Sequence, residues 1–128
     1  MEHTAAGHLV GRIEHLSAVA DTLHATQQEN WVLLGDVHRV RAIRATKRGE
    51  WGDAEQAVNA ALDLCRRMPF PYGEAKALYV YGQLLTAKGE SGRASQTYQA
   101  ALSICERLGE GLYRPHIERA LAGADARR

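Results

Sequence analysis

The chain contains nearly the same passage twice. Residues 49–65 read GEWGDAEQAVNAALDLC, and forty residues later the chain reads GESGRASQTYQAALSIC. A shift of forty sets Val40 on Val80, Thr46 on Thr86, Gly49-Glu50 on Gly89-Glu90 and Gly52 on Gly92, with no gap. The match continues through Ala54 and Ala94, Gln56 and Gln96, Ala60-Ala61-Leu62 and Ala100-Ala101-Leu102, Cys65 and Cys105, and Arg67 and Arg107. A period of this length marks a repeat architecture. Each unit is one supersecondary element that cannot bury its apolar side alone, so neighbours must stack.

Each unit reads as two helices. In EAKALYVYGQLLTAKGE, Leu78, Tyr81, Gly82 and Leu85 share one face at helical spacing. Gly89 then supplies the left-handed residue that ends a helix cheaply, and Ser91 is the expected N-cap of the next. That next helix places Ala94, Tyr98, Ala101, Leu102 and Cys105 inward. The first unit repeats the plan with Ala54, Val58, Ala61, Leu62 and Cys65. RRMPFPYGE breaks the chain near Pro69–Pro71, and RLGEGLYRP breaks it near Gly109–Pro115.

Flanking segments extend the scheme. Residues 8–28, with Leu9, Ile13, Leu16, Ala20 and Leu23 in helical period, read as the second helix of a preceding partial repeat. Residues 113–126 read as the first helix of a following one. The expectation is a single all-α domain over 1–128, with repeats at 30–68 and 72–109. About six antiparallel helices would stack as a right-handed α-solenoid.

These residues resemble the tetratricopeptide repeat. Leu78, Tyr81, Gly82, Leu85, Gly89, Glu90, Ala94, Tyr98 and Ala101 match its pattern in register. Ala42, Gly49, Glu50, Trp51, Ala54, Val58 and Ala61 do so in the first unit. The forty-residue period is longer than the family's usual length. It resembles the C-terminal helical arrays of large bacterial regulators, such as ATP-dependent transcription activators of the maltose-regulator type and cyclase-linked signalling ATPases. One departure stands out: His38 and Arg41 occupy slots for bulky and leucine residues, where unpartnered polar groups are costly. Either the helix turns Val37 and Val40 inward instead, or Arg41 pairs with Glu14 or Asp21.

No catalytic or nucleotide-binding signature stands in the chain: no HExxH, no GxxxxGK[ST], no GxGxxG after a strand, no GxSxG. The histidines His3, His8, His15, His24, His38 and His116 include no pair at the i, i+4 spacing that clamps a metal on one helix face. Cys65 and Cys105 read as small buried hydrophobes. The basic run Arg39, Arg41, Arg44, Lys47, Arg48 spreads round its helix and is flanked by Asp36, Glu50, Asp53 and Glu55, which argues against a nucleic-acid face. The net charge of +1 gives no global pull toward polyanions. With no apolar span and no basic, apolar leader, a cytoplasmic protein is expected, neither an enzyme nor a holder of metal or cofactor.

The resemblance implies a concave recognition face lined by first helices. Carried over residue by residue, it comprises Asp36, Arg39, Ile43, Thr46 and Lys47 in the first unit. Lys76, Tyr79, Gln83 and Thr86 follow in the second, then His116 and Arg119. Such a face suits a peptide or partner protein, with Arg39, Lys76 and Arg119 matched to acidic side chains or a terminal carboxylate. Gln83 stands where the family's chaperone-tail binders carry an asparagine, which argues against that ligand. The expected function is a non-catalytic protein-interaction scaffold, part of a bacterial regulator, with a homodimer through the array ends. The alternative is a sensor domain of a transcription regulator, with a closed apolar pocket beneath Tyr79 and Ile43 for a small molecule or signalling peptide.

Overall fold

The computed structural model describes residues 6–128, and their side chains apart from residues 6–10, 13, 24 and 25. The expectations for His3, and for the side chains of His8, Leu9, Ile13 and His24, lie outside the described residues. Among the described residues there are five helices and no strand: α1 (Ala6–Lys47), α2 (Trp51–Arg67), α3 (Pro71–Ala87), α4 (Ser91–Leu108) and α5 (Arg114–Ala126). The chain divides into two compact units, one ending at Trp31 and the other comprising Val32–Arg128.

Five helices stand where six are expected. The separate helices expected over 8–28 and from residue 30 are one 42-residue helix. The physical reason lies in the residues between them. Thr26-Gln27-Gln28-Glu29-Asn30-Trp31 contains neither glycine nor proline, so nothing there ends a helix.

In the first unit, every described side chain from Gly11 to Asn30 is exposed. The second unit holds the core. One cluster gathers Ala42 and Ala45 of α1, Ala54, Ala57 and Val58 of α2, and Val80 and Leu84 of α3. The other joins α2, α3, α4 and α5 through residues such as Leu62, Leu78, Leu85, Tyr98, Cys105 and Ile117. All the inner residues expected for the second helices are buried, except Leu102, which is half-buried. The rotation that would turn Val37 and Val40 inward does not occur, because both are exposed. Ala42 and Ala45 face the core in their place, and their small side chains let α1 lie close to α2 and α3. Arg41 is exposed, and its guanidinium donates to His38 Nδ1 at 2.9 Å.

The repeated turns are built alike. α1, α3 and α4 close on Gly49, Gly89 and Gly109, at φ of 72°, 84° and 66°. In each, the N–H of the following glutamate reaches back to the carbonyl of Ala45, Leu85 or Cys105 (2.8–2.9 Å), the bonding of a left-handed helix stop. α2 makes the same long return bond from Phe70 to Cys65, with Pro69 in the glycine's place. Ser91 is not the N-cap of α4. Glu90 is, its carbonyl taking the first helical bond from Ala94, and Ser91 is the first helical residue with no capping side-chain bond.

Candidate functional site

α1 and α3 approach each other over a sulfur atom. A Cβ added to Gly73 would stand 2.8 Å from Cys65 Sγ, and one added to Gly35 would stand 3.8 Å from it. Glycine at position 73 leaves the thiol its room, while at position 35 a Cβ would only touch it. Burial pushes the Cys65 thiol up from its ordinary range, and the Glu74 and Asp36 carboxylates add to that. Burial likewise raises Cys105, with Glu110 adding to it. Neither sulfur has the lowered pKa that a nucleophile or redox thiol needs.

Above this floor sits a charged group. Arg39 Nη2 lies 3.4 Å and Lys76 Nζ 3.8 Å from the same oxygen, Asp36 Oδ1. The two cationic side chains are only 18% and 16% exposed, and the Nε of Arg39 is buried without a hydrogen-bond partner. One carboxylate therefore serves two largely buried cations. That leaves a surplus positive charge and an open donor, in an environment where electrostatic interactions are stronger than in bulk water.

An aromatic row continues from there. Lys76 Nζ stands 4.9 Å over the Tyr72 ring, a favourable cation–π arrangement. Tyr72 meets Tyr113 edge-on at 6.1 Å. Tyr113 meets Tyr79 at 6.0 Å and His116 at 6.4 Å, also edge-on. Arg119 donates to His116 Nδ1 at 2.9 Å. Glu110 holds Tyr113 in place by accepting the backbone N–H groups of Leu112 and Tyr113 at 2.7 and 3.0 Å. The row thus runs from Asp36 and Arg39 on α1, across Lys76, Tyr72 and Tyr79 on α3, to His116 and Arg119 on α5.

One helical turn further along α1 and α3, Ile43, Thr46, Lys47 and Gln83 line a pocket of about 150 Å³ with Val80. Thr86 is less available. Its hydroxyl donates to the Gly82 carbonyl at 2.9 Å and lies 3.5 Å from the Tyr98 hydroxyl. Thr46 is bonded in the same way to Ala42.

The candidate residues other than Thr86 therefore fall into two groups: the ionic and aromatic row, and the small pocket beside it. Sequence reasoning missed Tyr72 and Tyr113. Both share the register of residues on the face, Tyr72 four before Lys76 and seven before Tyr79, and Tyr113 three before His116, and that spacing is the available signal.

On the opposite flank, the Tyr81 hydroxyl donates to Glu55 (2.9 Å) and accepts from Arg93 (3.0 Å). Glu90 binds Arg93 and Lys88 at 2.8 and 3.3 Å. This network ties α2, α3 and α4 together, and its chemistry is that of a clamp. A separate polar cleft of about 360 Å³ is lined by Arg41, Arg44, Ala45, Arg48, Glu50 and Asp53. Its two acids offset most of its positive charge. No group of three or more metal-ligating side chains forms among the described residues. No helix among them is long and apolar enough to cross a membrane. Comparison with family models, curated proteins and solved structures finds no match to this chain.

Proposed function

We propose that this chain is a non-catalytic interaction scaffold of the tetratricopeptide kind, a helical-repeat α-solenoid module of a cytoplasmic bacterial regulator. Its α1–α3–α5 face takes a peptide or a segment of a partner protein, and it binds neither nucleic acid nor membrane directly. The observation that carries this reading is the shared carboxylate of Asp36. Arg39 and Lys76 hold more positive charge than it neutralises, and a neighbouring row of tyrosines offers aromatic surface. An arriving acidic side chain or C-terminal carboxylate would pair with Arg39 and Lys76, while the chain that bears it lies across Tyr72 and Tyr113. The repeated glycine stops and buried alanines of the helix pairs support the family reading.

The sensor alternative needs an enclosed apolar pocket beneath Tyr79 and Ile43. The pocket at Ile43 has about 150 Å³, against roughly 300 Å³ or more for a usual small-molecule site. Tyr79 is packed on Tyr98 and Tyr113 instead of roofing it. The peptide reading is therefore preferred.

The test is fluorescence anisotropy with labelled peptides of one length, rich in Glu or in Lys, each with a free or amidated C-terminus. Glu-rich or free-carboxylate peptides should bind, and an Arg39→Glu/Lys76→Glu variant of equal helicity should bind them at least tenfold more weakly. Binding indifferent to peptide charge, or unchanged in the variant, would sink the proposal.

A further inference from the structure

The pocket beside the ionic group is the size of one side chain. Its 150 Å³ or so falls short of a usual small-molecule site and is close to the space that a group of about benzene's size fills. Ile43 and Val80 give it apolar walls. The Thr46 hydroxyl already donates to the Ala42 carbonyl at 2.7 Å, and Lys47 and Gln83 are the exposed members of the lining. Such a pocket suits a single aliphatic side chain of leucine or isoleucine size.

Its place along the helices matters as much as its size. On α3, Tyr72, Lys76 and Val80 follow one another at four-residue steps, so they share one side of the helix at intervals of about 6 Å. On α1, Ile43 follows Arg39 at the same step. The two cations that share Asp36 therefore lie between Tyr72 on one flank and the pocket on the other. Their surplus is one unit of charge, which one carboxylate balances and a phosphate dianion would exceed. A C-terminal carboxylate seated there would end the chain and leave one flank empty. An acidic side chain within a segment lets the backbone run on past both. Asp36 and Lys76 bridge α1 and α3 directly at 3.8 Å, a narrow path that suits an extended chain better than a helix about 10 Å wide. In an extended chain, alternate side chains point the same way and stand about 6.7 Å apart, close to the step from Lys76 to Val80.

We infer, given the peptide-binding reading on which this depends, that the ligand is an internal, extended segment of a partner protein. Its Asp or Glu side chain pairs with Arg39 and Lys76, and an aliphatic side chain two residues away enters the pocket between Ile43 and Val80. The cations then select the charge, and the pocket selects the neighbour that must accompany it.

The experiment is fluorescence anisotropy on the full chain with labelled, amidated peptides of one length. Each carries a single central Glu in a Gly-Ser background, with Leu placed one, two or four residues to either side. With Leu two residues away on one side, binding should be at least tenfold tighter than with Ala at that position, from the apolar area the pocket covers. Replacing the Glu of that peptide by Gln should cost at least tenfold as well. An Ile43→Ala variant of equal helicity should lose most of the preference for Leu and keep the preference for Glu. Charge-dependent binding that ignores Leu would overturn this inference and leave the peptide-binding reading intact. Tighter binding with Leu four residues away, the spacing of a helical ligand, would do the same, as would tighter binding when a free C-terminal carboxylate replaces the central Glu. No binding of these peptides while the Glu-rich ones bind would also overturn it, and no binding of either set would overturn both.

Discussion

At the same place in the two repeats, a pair of side chains fills the gap between paired helices in different ways. The first repeat uses Ala42 against Val58, and the second uses Gly82 against Tyr98, with all four buried. In the second, the fit is so close that a Cβ on Gly82 would stand 2.3 Å from the Tyr98 ring. The backbone gives up a methyl group so that a large ring can enter. In the first repeat, two middle-sized residues share the space. Thr46 and Thr86, one turn on, bond back to Ala42 and Gly82 in the same manner. The helix pairing is thus common to both repeats, while the division of volume across it is free to vary. Repeat identity lies in summed volume and helix closure more than in individual core residues.

Gly82→Ala should break the second arrangement and is the largest effect expected. The ring must shift or the helices must part, costing about 3 kcal/mol in guanidinium unfolding. Adding Tyr98→Val converts the pair to the first repeat's solution. The double variant should then be no less stable than Tyr98→Val alone, a strong non-additivity. Costs that sum to within about 0.5 kcal/mol would show that the two positions do not share one space. Next in size, Val58→Ala should cost about 2 kcal/mol by the cavity it leaves. A loss under about 0.5 kcal/mol in the same unfolding measurement would mean that the smaller pair is loosely packed.

The equivalent positions Glu55 and Ser95 sharpen the comparison further. Each reaches the helix that begins the next unit: Glu55 accepts from Tyr81, and Ser95 donates to Asp125 at 2.6 Å. Ser95 is buried, so Ser95→Ala should cost about 1–2 kcal/mol, since it removes a charge-assisted bond from a buried hydroxyl. Glu55→Gln acts at a more exposed site and should cost less than about 1 kcal/mol. Thermal unfolding of the two variants side by side checks the ranking, and a reversed order would show that the equivalence is one of position only.

Much of this was legible in the sequence because repetition supplies an internal alignment. Ala54, Val58 and Cys65 could be placed inward because Ala94, Tyr98 and Cys105 offered the same pattern twice. Gly49, Gly89 and Gly109 signalled helix stops by the one conformation that glycine adopts freely. The reading failed where no second copy existed. Residues 8–28 find almost no match at a shift of forty, and no glycine or proline supports the helix break expected near residue 29. At the site, the family resemblance implies Asp36, Arg39 and Lys76, but their convergence on one oxygen depends on how closely α1 and α3 pass over Cys65. The missing Cβ at Gly73, which would crowd Phe70 and the Cys65 sulfur, belongs to that close packing, and periodicity does not report it. Tyr72 and Tyr113 share the register of Lys76, Tyr79 and His116 but lie at the helix starts, outside the positions that the family resemblance carries over.

The smallest effect expected belongs to a slot where the repeats differ in polarity, His38 against Leu78. Burial, followed by the Arg41 guanidinium, lowers the His38 pKa below its ordinary 6.5. Arg41 donates to Nδ1, which only the neutral ring can accept. The folded chain thus holds His38 neutral, while the unfolded chain takes up a proton as the pH falls through about 6.5. Stability from this position is present above that pH and is lost progressively below it, down to the lowered folded value. His38→Leu installs the second repeat's residue and removes the titration. Melting temperatures at pH 5.5 and 7.5 should draw closer together in the variant than in the parent, with the gain concentrated at the acid end. An unchanged difference between the two pH values would assign the acid sensitivity to other groups and leave His38 a tolerated polar residue at the edge of the core. A gain confined to acid would show that the first repeat gives up stability at this slot only when the ring is charged.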